Sequence, residues 1–131
     1  PQRAHSLGYI ADDRLLAAAF AAADLTLAPS TVENLPNSIL ESLACGTPVV
    51  AYDAGGISDA VRHRETGWLA APRDNEALAD GVALLLSDTS ERERLAHNAL
   101  ALIAGTFDAD REGHAFADLY ATLRRAKGAD H

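Results

Sequence analysis

The sequence is poor in several features that define whole classes of protein. Its 131 residues contain a single cysteine, Cys45, so no internal disulfide can form and nothing requires an oxidising compartment. Basic residues are few, with 11 Lys and Arg against 19 Asp and Glu, and the net charge of −8 argues against a nucleic acid or an anionic membrane as partner. No stretch approaches the roughly 20 apolar residues of a membrane span. These deficits together predict an acidic, soluble protein of the cytoplasm.

The sequence does contain enough apolar material for one domain. Apolar residues make up 48% and charged residues 23% of the chain, which suits a single compact core and excludes a disordered chain. In the first half, short apolar runs alternate with helical patterns, and this alternation is typical of βα units with a parallel sheet. The predicted fold class is therefore α/β: a partial doubly wound, Rossmann-like parallel sheet followed by a helical C-terminal tail.

The same patterns predict the individual elements. Strands are expected at 5–9, 25–28, 48–52 and 67–70. Helices are expected after an Asp12 N-cap, at 37–45, at 59–61, around 78–86, from a capping box over 90–93, and in the tail after 108. The apolar positions expected on buried helical faces are Leu15, Leu16, Ala19, Phe20 and Ala23 in the first helix, and Phe116, Leu119, Tyr120 and Leu123 in the last.

The segment from 29 to 41 has a spacing that suggests chemistry. It follows the carboxyl end of a predicted strand and leads into a helix, the place where parallel sheets bind ligands. The first amides of that helix, at Asn37, Ser38 and Ile39, have no intrahelical partner. Together with the helix dipole they favour an anion such as a phosphate.

Two carboxylates, Glu33 and Glu41, flank this expected anion site. Because carboxylates repel phosphate, they are better suited to accept hydrogen bonds from hydroxyl groups on either side of it, such as those of a sugar and of a ribose. Three alternatives stay open from the spacing alone: a solvent-exposed Glu41, a Glu33 that only complements the helix dipole, and an inverting glycosidase pair about 6.5–9.5 Å apart.

Other reactive residue types lack the partners that known sites need. The five histidines have no metal-ligand spacing. Ser30 and Ser38 have no adjacent His–Asp arrangement, which disfavours a serine hydrolase. Gly55-Gly56 is a turn rather than a GxGxxG fingerprint. Cys45 and Trp68 are expected to be core and packing residues.

Several ordered motifs resemble those of one enzyme family. The segment 30–33 through Glu41, followed by 43–51 (LACGTPVVA), looks like the E-x7-E signature of retaining family 4 glycosyltransferases, which have the GT-B fold. Further blocks continue the likeness, at 7–10, 22–24, 52–59 and 66–69. The resemblance extends from about residue 5 to residue 125.

The resemblance implies a role for each matching residue. Glu33 would be the catalytic residue that lies against the donor sugar, and Glu41 would bind the ribose hydroxyls of the nucleotide. The main chain of Ile10 would meet the nucleobase. The loop residues that would meet the sugar and diphosphate through their backbone are Leu35, Pro36, Asn37 and Ser38. Many relatives have glycine at the places of Asn34 and Pro36, and Pro36 has no N–H to donate. By the same likeness, the turn at Gly55-Gly56 would lie at the edge of the donor cleft. No cofactor and no metal is implied.

The family also implies parts that this sequence does not contain. Residues 1–131 correspond to the C-terminal donor-binding portion, and both the N-terminal acceptor domain and the βα units that supply an Arg and a Lys to the diphosphate are absent. Arg14, Arg62 and Arg64 are expected to be exposed charges. The expected partners are a nucleotide-diphosphate sugar and the missing N-terminal domain. Any peripheral membrane contact would come only through the absent regions.

The function that the resemblance implies is glycosyl transfer from a nucleotide-diphosphate sugar to an acceptor, with retention of anomeric configuration, as in polysaccharide biosynthesis. The isolated fragment is expected to be inactive. One alternative is a non-catalytic module that binds a sugar nucleotide or another protein. Another is a different sugar-nucleotide enzyme, such as a non-hydrolysing epimerase.

Overall fold

A computed structural model describes residues 3–107 of the chain. Within this range five helices and three strands follow one another in the order α1 (Asp13–Ala21), β1 (Thr26–Ala28), α2 (Asn37–Ala44), β2 (Val49–Tyr52), α3 (Ile57–Ala60), β3 (Gly67–Ala70), α4 (Asn75–Ser87) and α5 (Thr89–Thr106). The helix predicted after residue 108 lies outside the described residues.

The three strands form one parallel sheet in the order β1-β2-β3. Thr26 is paired with Val49, and Val49 with Gly67, so the strands are in register along their length. Because all three run in the same direction, the loops after them leave from one edge of the sheet. The strands predicted at 25–28, 48–52 and 67–70 are thereby confirmed.

Helices cover both faces of this sheet. The central strand β2 is fully buried, and its alternate residues face opposite ways: Val49 and Ala51 pack into a cluster with residues of α2, α3 and α5, whereas Val50 and Tyr52 pack with residues of α4 and with Leu95 of α5. This two-sided burial explains why β2 is an apolar run without polar alternation. It also confirms the predicted doubly wound α/β architecture.

The strand predicted at 5–9 is wrong. This segment has no regular secondary structure, and its side chains are largely exposed, with Leu7 at 71% and Tyr9 at 94%. A strand exists only through hydrogen bonds to a neighbour. Within residues 3–107 the sheet contains β1, β2 and β3 alone, so the apolar residues here pair with no strand.

Details of two helices also differ from expectation. Leu15 and Ala23 are exposed, whereas Leu16, Ala19 and Phe20 are half-buried, because α1 packs mainly against α2 and buries a narrow stripe. Helix α3 starts at Ile57, two residues before the predicted start.

The capping box predicted at 90–93 is wrong. The N-cap of α5 is Asp88, whose carboxylate accepts a hydrogen bond from the Glu91 N–H at 2.9 Å. The helix therefore begins one residue before Ser90, which lies inside its first turn. Asp88 and Ser90 are both good capping residues, and the first of them along the chain is the one that caps.

Candidate functional site

The loop between β1 and α2 is held by the turn that follows β2. The Gly56 N–H donates a hydrogen bond to the Asn34 carbonyl oxygen at 2.7 Å. Gly55 approaches the carbonyl oxygen of Glu33 so closely that a Cβ on it would lie 1.7 Å from that oxygen. Leu35 and Pro36, at the end of the loop, are half-buried. The backbone from Glu33 to Pro36 is thus fixed at the carboxyl edge of the sheet.

The sequence did not reveal this contact between the two loops. Neither Asn34 nor Gly55 belongs to a periodic pattern, and the two are far apart along the chain. The available signal was topological: loops that follow neighbouring parallel strands leave from the same edge of the sheet.

The N-terminus of α2 leaves two amides without a partner. Pro36 is the N-cap, and its side chain makes no capping hydrogen bond. Over residues 3–107, the Asn37 and Ser38 N–H groups find no hydrogen-bond acceptor, and both residues are exposed. The expectation that the Ile39 amide is also unpaired is wrong, because that N–H donates to the Pro36 carbonyl oxygen at 3.0 Å in a tight first turn.

Glu41 lies in the second turn of α2, beside a hollow of about 310 Å³ between α1 and α2. The hollow is lined by apolar and acidic side chains: Asp13, Leu16, Ala17, Phe20, Glu41, Ala44 and Cys45. The prediction that Cys45 is a core residue is therefore wrong. Cys45 is half-buried at the end of α2 and lines the hollow rather than the core.

Buried hydroxyl groups fix the orientation of the helix that carries Glu41. The Ser42 hydroxyl is fully buried, lies 2.9 Å from the Thr26 hydroxyl of β1 and donates to the Thr47 carbonyl at 3.0 Å. The Thr47 hydroxyl donates to the Phe20 carbonyl of α1 at 2.7 Å. With Ser42 turned into the core, Glu41 is left exposed beside α1.

Glu33 and Ile10 lie in different surroundings. Glu33 is exposed on the loop, four residues before the start of α2. Ile10 is half-buried and lines a shallow apolar groove along α1 with Leu7, Leu15, Ala18 and Ala19. Along the chain, Glu33 therefore precedes the first turn of α2 and Glu41 follows it on the helix, and Ile10 lines a separate groove.

The three arginines considered from the sequence are exposed, as expected. Arg62 pairs with Glu65 at 3.1 Å, and the Arg64 guanidinium lies 5.2 Å from the centre of the Trp68 ring. Trp68 packs as predicted: it is half-buried, and its Nε1–H donates to the Ala77 carbonyl at 2.9 Å. Neither Glu33 nor Glu41 forms an ion pair with another described residue.

The described residues lack two features. Nowhere between residues 3 and 107 do three or more His, Cys, Asp or Glu side chains converge in a way that could hold a metal ion. In the same range, no helix combines the length and the apolar character needed to cross a membrane.

Residues 2–101 match the family described as glycosyl transferases group 1. The chain belongs to the group 1 glycosyltransferase family. Among curated relatives of this group 1 chain, the D-inositol 3-phosphate glycosyltransferase of Mycobacterium avium is 40% identical over 111 residues, which is 85% of the chain and 26% of the relative. The lipopolysaccharide core biosynthesis mannosyltransferase LpsB of Rhizobium meliloti is 34% identical over 108 residues, or 81% of the chain and 31% of the relative.

Solved glycosyltransferase structures share the fold of the group 1 chain. Sucrose-phosphate synthase from Thermosynechococcus elongatus superposes with a TM-score of 0.80 at 32% identity, over 86% of this chain and 28% of that one. HepE of Anabaena in complex with UDP-glucose superposes with a TM-score of 0.79 at 33% identity, over 88% of this chain and 31% of that one. The α/β fold of GT-B type is confirmed by these neighbours. The group 1 chain spans between a quarter and a third of the length of these proteins.

Proposed function

We propose that residues 1–131 are the C-terminal donor-binding portion of a retaining GT-B glycosyltransferase that uses a nucleotide-diphosphate sugar. The observation that carries this proposal is the first turn of α2 at the carboxyl edge of the sheet, where the amides of Asn37 and Ser38 are unpaired, with Glu33 before them and Glu41 after them along the chain. The family membership and the UDP-glucose complex of HepE support it. The acceptor would be bound by an N-terminal domain outside this sequence, in the cytoplasm.

In this proposal the nucleotide end of the donor lies toward Glu41. The diphosphate accepts hydrogen bonds from the Asn37 and Ser38 amides, which the helix dipole strengthens. The Glu41 carboxylate and the phosphates are both negatively charged and repel each other. The carboxylate therefore accepts hydrogen bonds from the ribose hydroxyls at the hollow beside α1. The main chain of Ile10 contacts the nucleobase.

The sugar end of the donor lies toward Glu33. Its carboxylate accepts hydrogen bonds from the sugar hydroxyls and stabilises the positive charge that develops at the anomeric carbon as the bond to the diphosphate breaks. The acceptor oxygen then attacks from the face that the diphosphate leaves, and the leaving phosphate takes the acceptor proton, so configuration is retained. Leu35 and Pro36 shape the loop around the sugar, and because Pro36 has no N–H, the amide contacts come from its neighbours.

Two substitutions test the assignment of the two ends. In the complete polypeptide that carries this chain, Glu41→Ala is expected to weaken donor affinity by about 10- to 100-fold, because hydrogen bonds from hydroxyls to a charged acceptor are lost. Glu33→Gln is expected to lower turnover while donor affinity changes little. Titration calorimetry with UDP-glucose and steady-state kinetics measure the two effects.

The matched control is Glu76→Ala, which removes another exposed carboxylate, in the first turn of α4. It should leave both quantities unchanged. A donor affinity that Glu41→Ala does not alter, or a turnover that Glu33→Gln does not alter, would contradict the assignments.

A second candidate function is a module that binds a sugar nucleotide without catalysis. Binding of UDP-glucose by a complete polypeptide that transfers glucose to no acceptor would support this reading over the first.

A further inference from the structure

The turn after β2 and the loop after β1 are locked together by backbone atoms. A Cβ on Gly55 would lie 1.7 Å from the Glu33 carbonyl oxygen, 2.8 Å from the Glu33 carbonyl carbon and 3.2 Å from the Asn34 carbonyl oxygen. A Cβ on Gly56 would lie 3.2 Å from that same Asn34 oxygen, to which the Gly56 N–H donates at 2.7 Å. These contacts leave no room for a side chain at residue 55.

The clash at Gly55 cannot be relieved by a side-chain rotation. The atoms that a Cβ would meet belong to the backbone of Glu33, so the loop itself would have to move. Gly55 also has a φ of +56°, a conformation that glycine adopts most readily. Two separate requirements thus restrict position 55 to glycine: the positive φ and the close approach to the Glu33 backbone. Only the second requirement involves the loop.

The turn that contains Gly55 and Gly56 is itself attached to β3 and to the core. The Asp53 N–H donates to the Ala70 carbonyl of β3 at 2.8 Å, and Ala54 and Ile57, on either side of the glycines, are buried. The Ile57 N–H closes the turn by donating to the Ala54 carbonyl at 3.2 Å. The turn that contacts the Glu33 backbone is therefore itself held by β3 and by the core.

We propose that Gly55 and Gly56 are positioning residues for Glu33. They hold the Glu33 backbone at the carboxyl edge of the sheet and thereby set where its carboxylate meets the donor sugar. This inference rests on the proposed function of Glu33. Glu41 is held independently, through the buried hydroxyl of Ser42, so the turn affects the sugar end of the donor and leaves the nucleotide end unchanged.

The first test needs no nucleotide. In the complete polypeptide that carries this chain, labelled with ¹⁵N, the amide signals of residues 33–35 should shift or broaden in Gly55→Ala. The matched control is Gly46→Ala, because Gly46 also has a positive φ, of +75°, but a Cβ there meets only Leu100 Cδ1 at an ordinary 3.5 Å. A folded Gly55→Ala variant whose 33–35 signals keep their native positions, or move no more than in Gly46→Ala, would overturn the proposal.

Gly56→Ala keeps the test decisive if Gly55→Ala does not fold. The φ of Gly56 is −90°, which alanine adopts without strain, and its Cβ would lie at a tight 3.2 Å from the Asn34 oxygen. The same 33–35 signals should shift by a smaller amount. Their staying in place would overturn the proposal equally well.

The second test is kinetic and uses the complete polypeptide. Displacing a catalytic group by about 1 Å costs on the order of 100-fold in rate, so Gly55→Ala should lower turnover by about that factor. The KM for UDP-glucose should stay within about threefold of the native value, because the substitution leaves the contacts of Glu41 with the nucleotide of the donor unchanged. Turnover unchanged in a variant whose 33–35 signals have moved, or equal losses for Gly55→Ala and Gly46→Ala, would overturn the proposal.

The two proposals fail in different ways. If Glu33→Gln leaves turnover unchanged, the role of Glu33 is refuted and the kinetic part falls with it. The amide signals would still decide, independently, whether the glycine turn positions the loop.

Discussion

One arginine connects the loop before β3 to α5. Arg94 makes two hydrogen bonds to the Glu91 carboxylate, at 2.7 and 2.8 Å, and donates a third to the Arg64 carbonyl at 2.8 Å. Asn98, one turn further along α5, donates to the Glu65 carbonyl at 2.8 Å. The hydrogen bonds from Arg94 lower the pKa of Glu91 below its ordinary value, against a smaller opposing effect of burial, and the carboxylate raises the pKa of Arg94.

This lowered pKa of Glu91 predicts a pH dependence of stability. A carboxyl whose pKa is lower in the folded state stabilises the fold above its unfolded pKa, and the contribution is lost as the pH falls through the folded pKa. The difference in unfolding free energy between the native chain and Glu91→Gln should therefore be present at neutral pH and shrink below about pH 4. Urea denaturation at several pH values measures it.

The control for this experiment is Glu93→Gln, which removes an exposed neighbouring carboxylate of α5 that forms no ion pair with another described residue. It should give a flatter difference across the same pH range. A Glu91→Gln difference that is constant with pH would contradict the role given to Arg94.

The start of α5 gives a prediction for a whole element. Asp88 accepts the Glu91 N–H at its carboxylate, whereas Ser90 is exposed within the first turn. Asp88→Ala should therefore lower the unfolding free energy by about 1 kcal/mol. Ser90→Ala should leave it nearly unchanged. Urea denaturation of the two variants measures both effects, and a larger loss for Ser90→Ala would restore the capping box at 90–93.

The sequence predicts correctly those elements whose boundaries depend on residues next to them in the chain. Pro36 and Gly46 bound α2 because each restricts or relaxes a single backbone angle, and both boundaries lie close to the predicted ones. The continuous apolar run at 48–52 predicts a strand that is buried on both faces, and β2 is buried in this way. These features depend on residues that are adjacent in the chain.

Features that depend on distant neighbours could not be predicted in this way. Residues 5–9 have a strand-like pattern, but a strand also needs a partner, which no local pattern supplies. The exclusion of a side chain at Gly55 comes from the Glu33 carbonyl, which the fold brings there from another loop. The spacing of Glu33 and Glu41 predicts one glutamate on the loop and one on α2, while the hollow beside Glu41 depends on how α1 packs.

At the scale of the whole molecule, the net charge of −8 opposes the binding of any diphosphate donor. Amides attract the phosphates locally, but the surrounding carboxylates repel them over longer distances. Raising the ionic strength from about 0.01 M to about 0.15 M shortens the screening length from about 30 Å to about 8 Å. The affinity of the chain for UDP-glucose should therefore rise, by about two- to threefold, as salt is added.

Titration calorimetry at several salt concentrations measures this effect. Uridine, which has the base and ribose without the phosphates, is the matched ligand and should bind with little dependence on salt. An affinity for UDP-glucose that falls steeply with salt would show that a cationic site, rather than the helix amides, dominates the interaction.

Within residues 3–107, β1 is hydrogen-bonded to a neighbour on one side only, and Leu27 in the middle of this strand is 48% exposed. An open strand edge next to an apolar surface is a template to which another extended chain can add. We therefore expect the isolated 131 residues to aggregate through the open edge of β1 at high concentration. Appending one extra parallel strand, or a lysine in place of Leu27, is the natural remedy.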